Sequence, residues 1–267
     1  SITVNQAAGE ELPYGSRHFF VTTAGSTDNS GYYWEEPTTL EEALTEAVDG
    51  ETIHIAAGTY VPGKYLSGAD GTIDGDKTFE IKANVSLIGG YPADASDGAI
   101  SDPATNTTIL SGKMETGNAF HVVSVTAPVE TEKKVILRGL KIQEGIASNL
   151  QTSVSVNGAD YNRNCGGGII VAKSALDIKN CEISNNETVS NGNGAGIYAR
   201  AGATIVIDSC VIKDNTGRIE NCSGTGLWNR GSTIYINNTT FSNNRAGGNG
   251  GAILAHGDGL ATKTYIY

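Results

Sequence analysis

The sequence predicts an all-β chain wound into a right-handed parallel β-helix, with a short capping α-helix at about 39–48. Three observations predict it. Matching residues recur every 29 positions through the C-terminal part, as at Ile183, Ile212 and Phe241. Short β-branched and aliphatic runs alternate with Gly- and Asn-rich turns. Only one segment has helical periodicity. A period of roughly 20–50 residues marks stacked supersecondary units. Here each unit holds two or three short strands. A propeller blade would need four antiparallel strands, and a leucine-rich repeat has its own Leu/Asn spacing.

Composition agrees with a packed β protein. The 267 residues are 39% hydrophobic and 18% charged, with 35 Gly, and the apolar residues fall in strand-like runs, which argues against disorder. A net charge of −11 repels phosphate backbones and excludes nucleic acid as the expected partner. No apolar run approaches the ~18 residues of a membrane-spanning helix. The chain begins at Ser1 without a signal-like segment, as a processed or trimmed N-terminus would. Its cysteines, Cys165, Cys181, Cys210 and Cys222, form no C-x-x-C pair, so zinc is not expected.

One domain is expected, in three stretches: a cap region at 1–50, irregular coils at 51–165 and regular coils at 166–267. In the cap, Leu40, Ala43, Leu44, Ala47 and Val48 share one helical face. Thr38 or Thr39 can cap it, and Asp49-Gly50 ends it. Strand-like segments follow at 52–55, 79–82, 85–88, 108–110, 120–125 and 135–142. Loop insertions are expected at 62–77, 91–106 and 145–165.

In the regular part, Leu176, Ile205 and Ile234 form one column, Ile178, Ile207 and Ile236 another, and Asn186, Asn215 and Asn244 a third. In a stack with coils about 4.8 Å apart, equivalent residues lie over one another. The aliphatic columns then face inward. The Asn column can bond up and down the stack and serve turns. Glycines precede each aliphatic strand at 166–168, 194–196, 224–226 and 250–251, where turns need positive φ. Cys181 and Cys210 share an inward column as buried free thiols, because parallel stacking gives poor disulfide geometry. Cys165 and Cys222 sit in equivalent loops two coils apart and are not expected to pair.

"FSNN" at Phe241–Asn244 and "GGAI" at Gly250–Ile253 resemble the paired repeats of chlamydial-type polymorphic outer-membrane proteins. "ISNN" with "GAGI", then "IKDN" with "GTGL", look like degenerate copies, so only one repeat has both motifs intact. The first half, with its capping helix and "GETIHIAAGTY", resembles secreted bacterial β-helix proteins of the pectin-lyase-like kind. The resemblance implies a β-helical fold and an extracellular or bacterial outer-surface location. It implies no particular activity. The final "TKTYIY" reads as the first strand of a further coil.

Catalysis by a β-helix on acidic polysaccharide would need clustered carboxylates. No strand carries an Asp-Asp pair, Asp177 aligns with Val206 and Tyr235, and "AHGDG" at 255–259 lacks a leading Gly. No catalytic residue is assigned. One outward column is more suggestive. If Ile169, Ile197, Leu227 and Ile253 point inward, Tyr198 and Trp228 stack outside, and Arg200, Arg230 and His256 follow beside them. Like charges in register normally destabilise a sheet. Such a pair beside aromatics suits a glycan bearing carboxylate or sulfate. The other reading is that the rings pack on each other with the Arg stems along them. Asp70, Asp74, Asp76 and Glu80 offer oxygen ligands for Ca²⁺ on a Gly-rich loop; no other cofactor is expected. His18, His54 and His121 read as isolated structural residues.

The function these signs point to is a monomeric, adhesin-like surface or secreted protein binding a glycan or a host or matrix component. A polysaccharide lyase or hydrolase, or a structural stalk of a larger surface protein, are the alternatives.

Overall fold

The computed structural model describes residues 17–257 and 261–267, apart from 131, 149, 190, 219 and 220. Three parallel sheets run side by side along one axis. The first has eight strands, in order His18–Val21, Thr52–Ala56, Ser86–Tyr91, Val135–Arg138, Ala175–Lys179, Thr204–Asp208, Thr233–Asn237 and Lys263–Ile266. The second has six: Gly58–Tyr60, Thr108–Ser111, Leu140–Gln143, Glu182–Ser184, Val211–Lys213 and Thr240–Ser242. The third also has six: Phe79–Ile81, Val123–Val125, Ile169–Ala172, Ile197–Arg200, Leu227–Arg230 and Ile253–His256. Each full coil passes once through each sheet. This is the right-handed parallel β-helix, with the handedness that parallel crossovers take.

Alternation along each strand builds the core. Ile53, Leu87, Leu137, Ile178, Ile207 and Ile236 stand in register through the first sheet. All are buried. Each such side chain contributes about 1.5–3 kcal/mol by leaving water.

Corners between sheets need left-handed backbone, and the sequence supplies residues that tolerate it. Gly139, Asn180, Ser209 and Asn238 (φ 66°, 50°, 56° and 45°) turn the chain from the first sheet into the second. Glu144, Asn185, Asp214 and Asn243 (φ 64°, 55°, 55° and 54°) turn it out again. Asn and Asp are enriched in this region because a short polar side chain can bond locally. The strained turn residue is thus the one before each column asparagine. Asn186 and Asn215 themselves are buried in the stack.

The helix spans Leu40–Glu46 and buries Leu40, Ala43 and Leu44. Its N-cap is Thr39, whose side chain accepts from the Glu42 N–H at 3.2 Å. It ends sooner than the periodicity suggested, because Ala47 is already extended (φ −68°, ψ 137°). Two strand readings also change. The run 135–142 is two strands with Gly139 at the corner between them, and 120–125 is strand only at Val123–Val125. The insertion at 145–165 is no plain loop. It holds an antiparallel hairpin, Ser153–Val156 with Ala159–Asn162. Asn157 and Gly158 (φ 50° and 67°) form its turn, the left-handed pair that matches strand twist. All four cysteines are buried and free.

Candidate functional site

The outward column of the third sheet starts as the alternation requires. Ile169, Ile197 and Leu227 point into the core, fully buried. Ile170, Tyr198, Trp228 and Leu254 lie in register on the outer face, followed by Ala172, Arg200, Arg230 and His256.

The hairpin changes what that face can do. Val154, Val156, Ala159 and Tyr161 lie over it and form a second hydrophobic cluster with Ile170, Ala172 and Tyr198. Tyr198 is therefore only 1% exposed, not on the surface as the alternation suggested. Outward from the coil means outside the solenoid core, and here a second layer covers the outside. Burial raises the Tyr198 pKa and keeps its phenol neutral.

Polar contacts fix the cover. The Tyr161 hydroxyl donates to the Val125 carbonyl at 2.6 Å. Arg163 donates from Nε and Nη2 to the two Asp76 carboxylate oxygens, at 2.8 and 2.7 Å. Arg200 Nη1 donates to the Asp160 carbonyl at 2.8 Å and to Asn162 Oδ1.

The cover thins beyond Tyr198, with Trp228 packed at its edge. Trp228 is half-buried, edge-on to Tyr198 with ring centroids 6.5 Å apart. His256 is exposed, with its ring 6.3 Å from Trp228. Arg230 Nη1 donates to the Tyr198 hydroxyl at 3.4 Å. The structure thus brings Tyr198, Trp228, Arg200, Arg230 and His256 together. Tyr198 forms the floor, while Trp228, the two half-exposed arginines and His256 form the reachable rim. The rings pack on each other, as one of the two expected readings has it, and both arginines are engaged at the edge, Arg200 by Asp160 and Asn162 and Arg230 by Tyr198. The Trp228 Nε1–H is buried without an acceptor.

Asp70, Asp74, Asp76 and Glu80 do not converge. Asp70 accepts from the Thr72 N–H and hydroxyl. Asp74 pairs with Lys77 at 2.7 Å and accepts from Tyr65 and Thr116. Those bonds hold its carboxyl down at about 2. Asp76 binds Arg163, and Glu80 accepts from the Ser67 N–H and the Thr126 hydroxyl. Among the described residues no three His, Cys, Asp or Glu side chains group as metal ligands do.

His18 and His54 are not isolated. His18 Nδ1 lies 2.8 Å from His54 Nε2, and His54 Nδ1 lies 2.7 Å from the Tyr91 hydroxyl. Spacing on separate coils hid this triad from sequence reasoning. The signal for the hairpin was in view: Asn157-Gly158 flanked by alternating Val154, Val156, Ala159 and Tyr161.

Residues 238–256 match the family model of the Chlamydia polymorphic membrane protein repeat. They run from the Asn238 corner through one second-sheet strand to the third-sheet strand Ile253–His256. No curated protein matches the chain. Among solved structures, the crystal structure of a pectate lyase is similar at 14% identity and a TM-score of 0.31, covering 83% of this chain and 70% of that one. No helix among the described residues is long and apolar enough to cross a membrane.

Proposed function

We propose that the chain is part of a cell-surface or secreted binding protein of the adhesin type, recognising a glycan at the end of the hairpin-covered face. One observation carries this reading. The second layer buries Tyr198 and thins at Trp228, whose indole packs against its edge and stays half-buried, with two arginines and an exposed histidine around it. An aromatic ring with charged donors at its rim offers a sugar both an apolar face and hydrogen-bond partners. The match of 238–256 to a membrane-protein repeat supports a surface location.

The test is a glycan array probed with the wild-type chain and with Trp228→Ala. Binding to at least one glycan class, weakened about tenfold or more by the substitution, supports the reading; tenfold corresponds to roughly 1.4 kcal/mol. Equal binding by both proteins, or binding to no glycan, overturns it.

A further inference from the structure

The outer face of the first sheet carries a hydrogen-bonded chain with no part in the proposed binding site. His18, His54 and Tyr91 come from its first three strands, one residue from each. The two imidazole planes differ by 19° and their centroids are 5.1 Å apart. With the nitrogens only 2.8 Å apart, that separation is the N···N distance plus one ring radius at each end. The rings therefore meet edge to edge, sharing one proton, and do not overlap face to face.

Both nitrogens of His54 are occupied, one facing His18 and the other Tyr91. A neutral imidazole has one donor and one acceptor, so the neutral chain satisfies every member in either direction. One extra proton can still be placed, since a hydroxyl oxygen can accept at the Tyr91 end. Two protons cannot, because both facing nitrogens of the histidine pair would then be donors.

The surroundings make the chain a closure. Phe20 stacks on His54 with centroids 5.0 Å apart and planes 14° apart. Trp34 packs against both Phe20 and Tyr91, at 4.8 and 5.3 Å. Trp34 itself is only 6% exposed. The charged groups that act on the chain are few. Glu51, ion-paired to Arg17, favours a charge on His18. Arg138 acts on Tyr91 from the fourth strand. Burial opposes charge on both rings and pushes His54 down to about 3, with His18 adding to that shift.

We propose that His18, His54 and Tyr91 form an acid-sensitive latch that holds the Phe20–Trp34 cover on the first coils and releases it when both imidazoles are protonated. The chain has two tryptophans, so each can report alone. In a Trp228→Phe protein, emission from Trp34 is followed as pH falls from 7 to 4. The expected result is a reversible red shift, roughly between pH 6 and pH 4. A Trp34→Phe protein that also carries His256→Gln, reporting from Trp228 without the imidazole beside it, stays unchanged over that range. Adding His18→Gln and His54→Gln to the Trp228→Phe protein abolishes the shift. A flat Trp34 signal, a shift that survives the double substitution, or Trp34 and Trp228 moving together overturns the latch. Imidazole ¹⁵N spectra of the wild-type chain test it without substitutions. Shifts at neutral pH that mark a hydrogen-bonded pair, lost on acidification, support it. Two independent titrations near the ordinary histidine value of about 6.5 overturn it.

Discussion

Asn186 and Asn215 meet at a single oxygen: the backbone N–H and the Nδ2 of Asn186 both donate to Oδ1 of Asn215, each at 3.1 Å. Asn215 repeats the arrangement on Asn244, at 3.1 and 3.0 Å. Each Nδ2 also reaches a strand carbonyl of the preceding coil, Ile142, Ile183 or Ile212. The ladder starts at Gly145, whose N–H donates to Asn186 Oδ1 at 3.0 Å. A side-chain amide suits this place because it donates and accepts at once.

Asn215→Ala strips partners from groups that have no water. Each buried polar group left unpaired costs about 1–3 kcal/mol. The expected loss is about 3–5 kcal/mol, measured by urea unfolding. Asn244→Ala, at a half-buried site, costs about half as much. Equal losses at the two sites contradict a ladder whose strength depends on burial.

The glycines and the asparagines of the repeat belong to one contact. A Cβ on Gly196 would lie 2.6 Å from the Gly226 carbonyl and 3.1 Å from Asn215 Nδ2. A Cβ on Gly226 would meet Asn244 Nδ2 at 3.1 Å and the Phe241 ring at 3.0 Å. This is why the two short motifs travel together: the amide and the aromatic of one fill the space the glycine of the other leaves. Gly196→Ala is expected to destabilise by about 2–3 kcal/mol through overpacking. Gly202→Ala meets nothing within 4 Å and is strained only by its φ of +82°, so about 1 kcal/mol is expected. Thermal unfolding of the two variants separates steric from backbone cost.

The stack was legible in the sequence because a 29-residue period forces equal residues into one column, and a column has one environment. Leu176, Ile205 and Ile234 had to share a fate. Insertions break that logic. Tyr198 follows its column outward, but whether water or protein lies beyond depends on a hairpin more than 30 residues upstream. Asp76 reads as a free acidic loop residue until Arg163, 87 residues away, is seen to bind it. Partners chosen across such distances leave no periodic trace.

The Asp76–Arg163 pair ties the 62–77 insertion to the end of the hairpin, with side chains 2% and 11% exposed. Removing one partner of a buried pair leaves the other charge uncompensated, at about 3–5 kcal/mol. Arg163→Ala is therefore expected to loosen the hairpin and expose Tyr198. Limited proteolysis within 148–163 should become faster in the variant while the remaining coils resist cleavage. Uniform susceptibility along the whole chain argues instead that the pair supports the entire stack.

Acid should weaken the fold through a buried neutral histidine, and His121 gives the reason. Its ring is buried, with Nδ1 3.0 Å from the Gly166 carbonyl. Desolvation pushes its pKa down to about 4, against the opposing pull of the Gly166 bond. The native value lies below the unfolded value of about 6.5. The unfolded chain therefore binds the proton first as pH falls. Stability from the neutral ring is complete above the unfolded pKa and is lost from about pH 6.5 down to about pH 4. Between pH 7 and pH 5 the expected loss is on the order of 2 kcal/mol from this residue. His54, held lower still at about 3, adds loss of the same sign between pH 7 and pH 5 and continues to lose down to about pH 3. Urea unfolding at pH 7 and pH 5 measures the slope. His121→Asn keeps an amide donor that can face Gly166 but does not titrate, so its slope should be shallower by His121's share. A slope unchanged in that variant would assign the acid sensitivity to other groups.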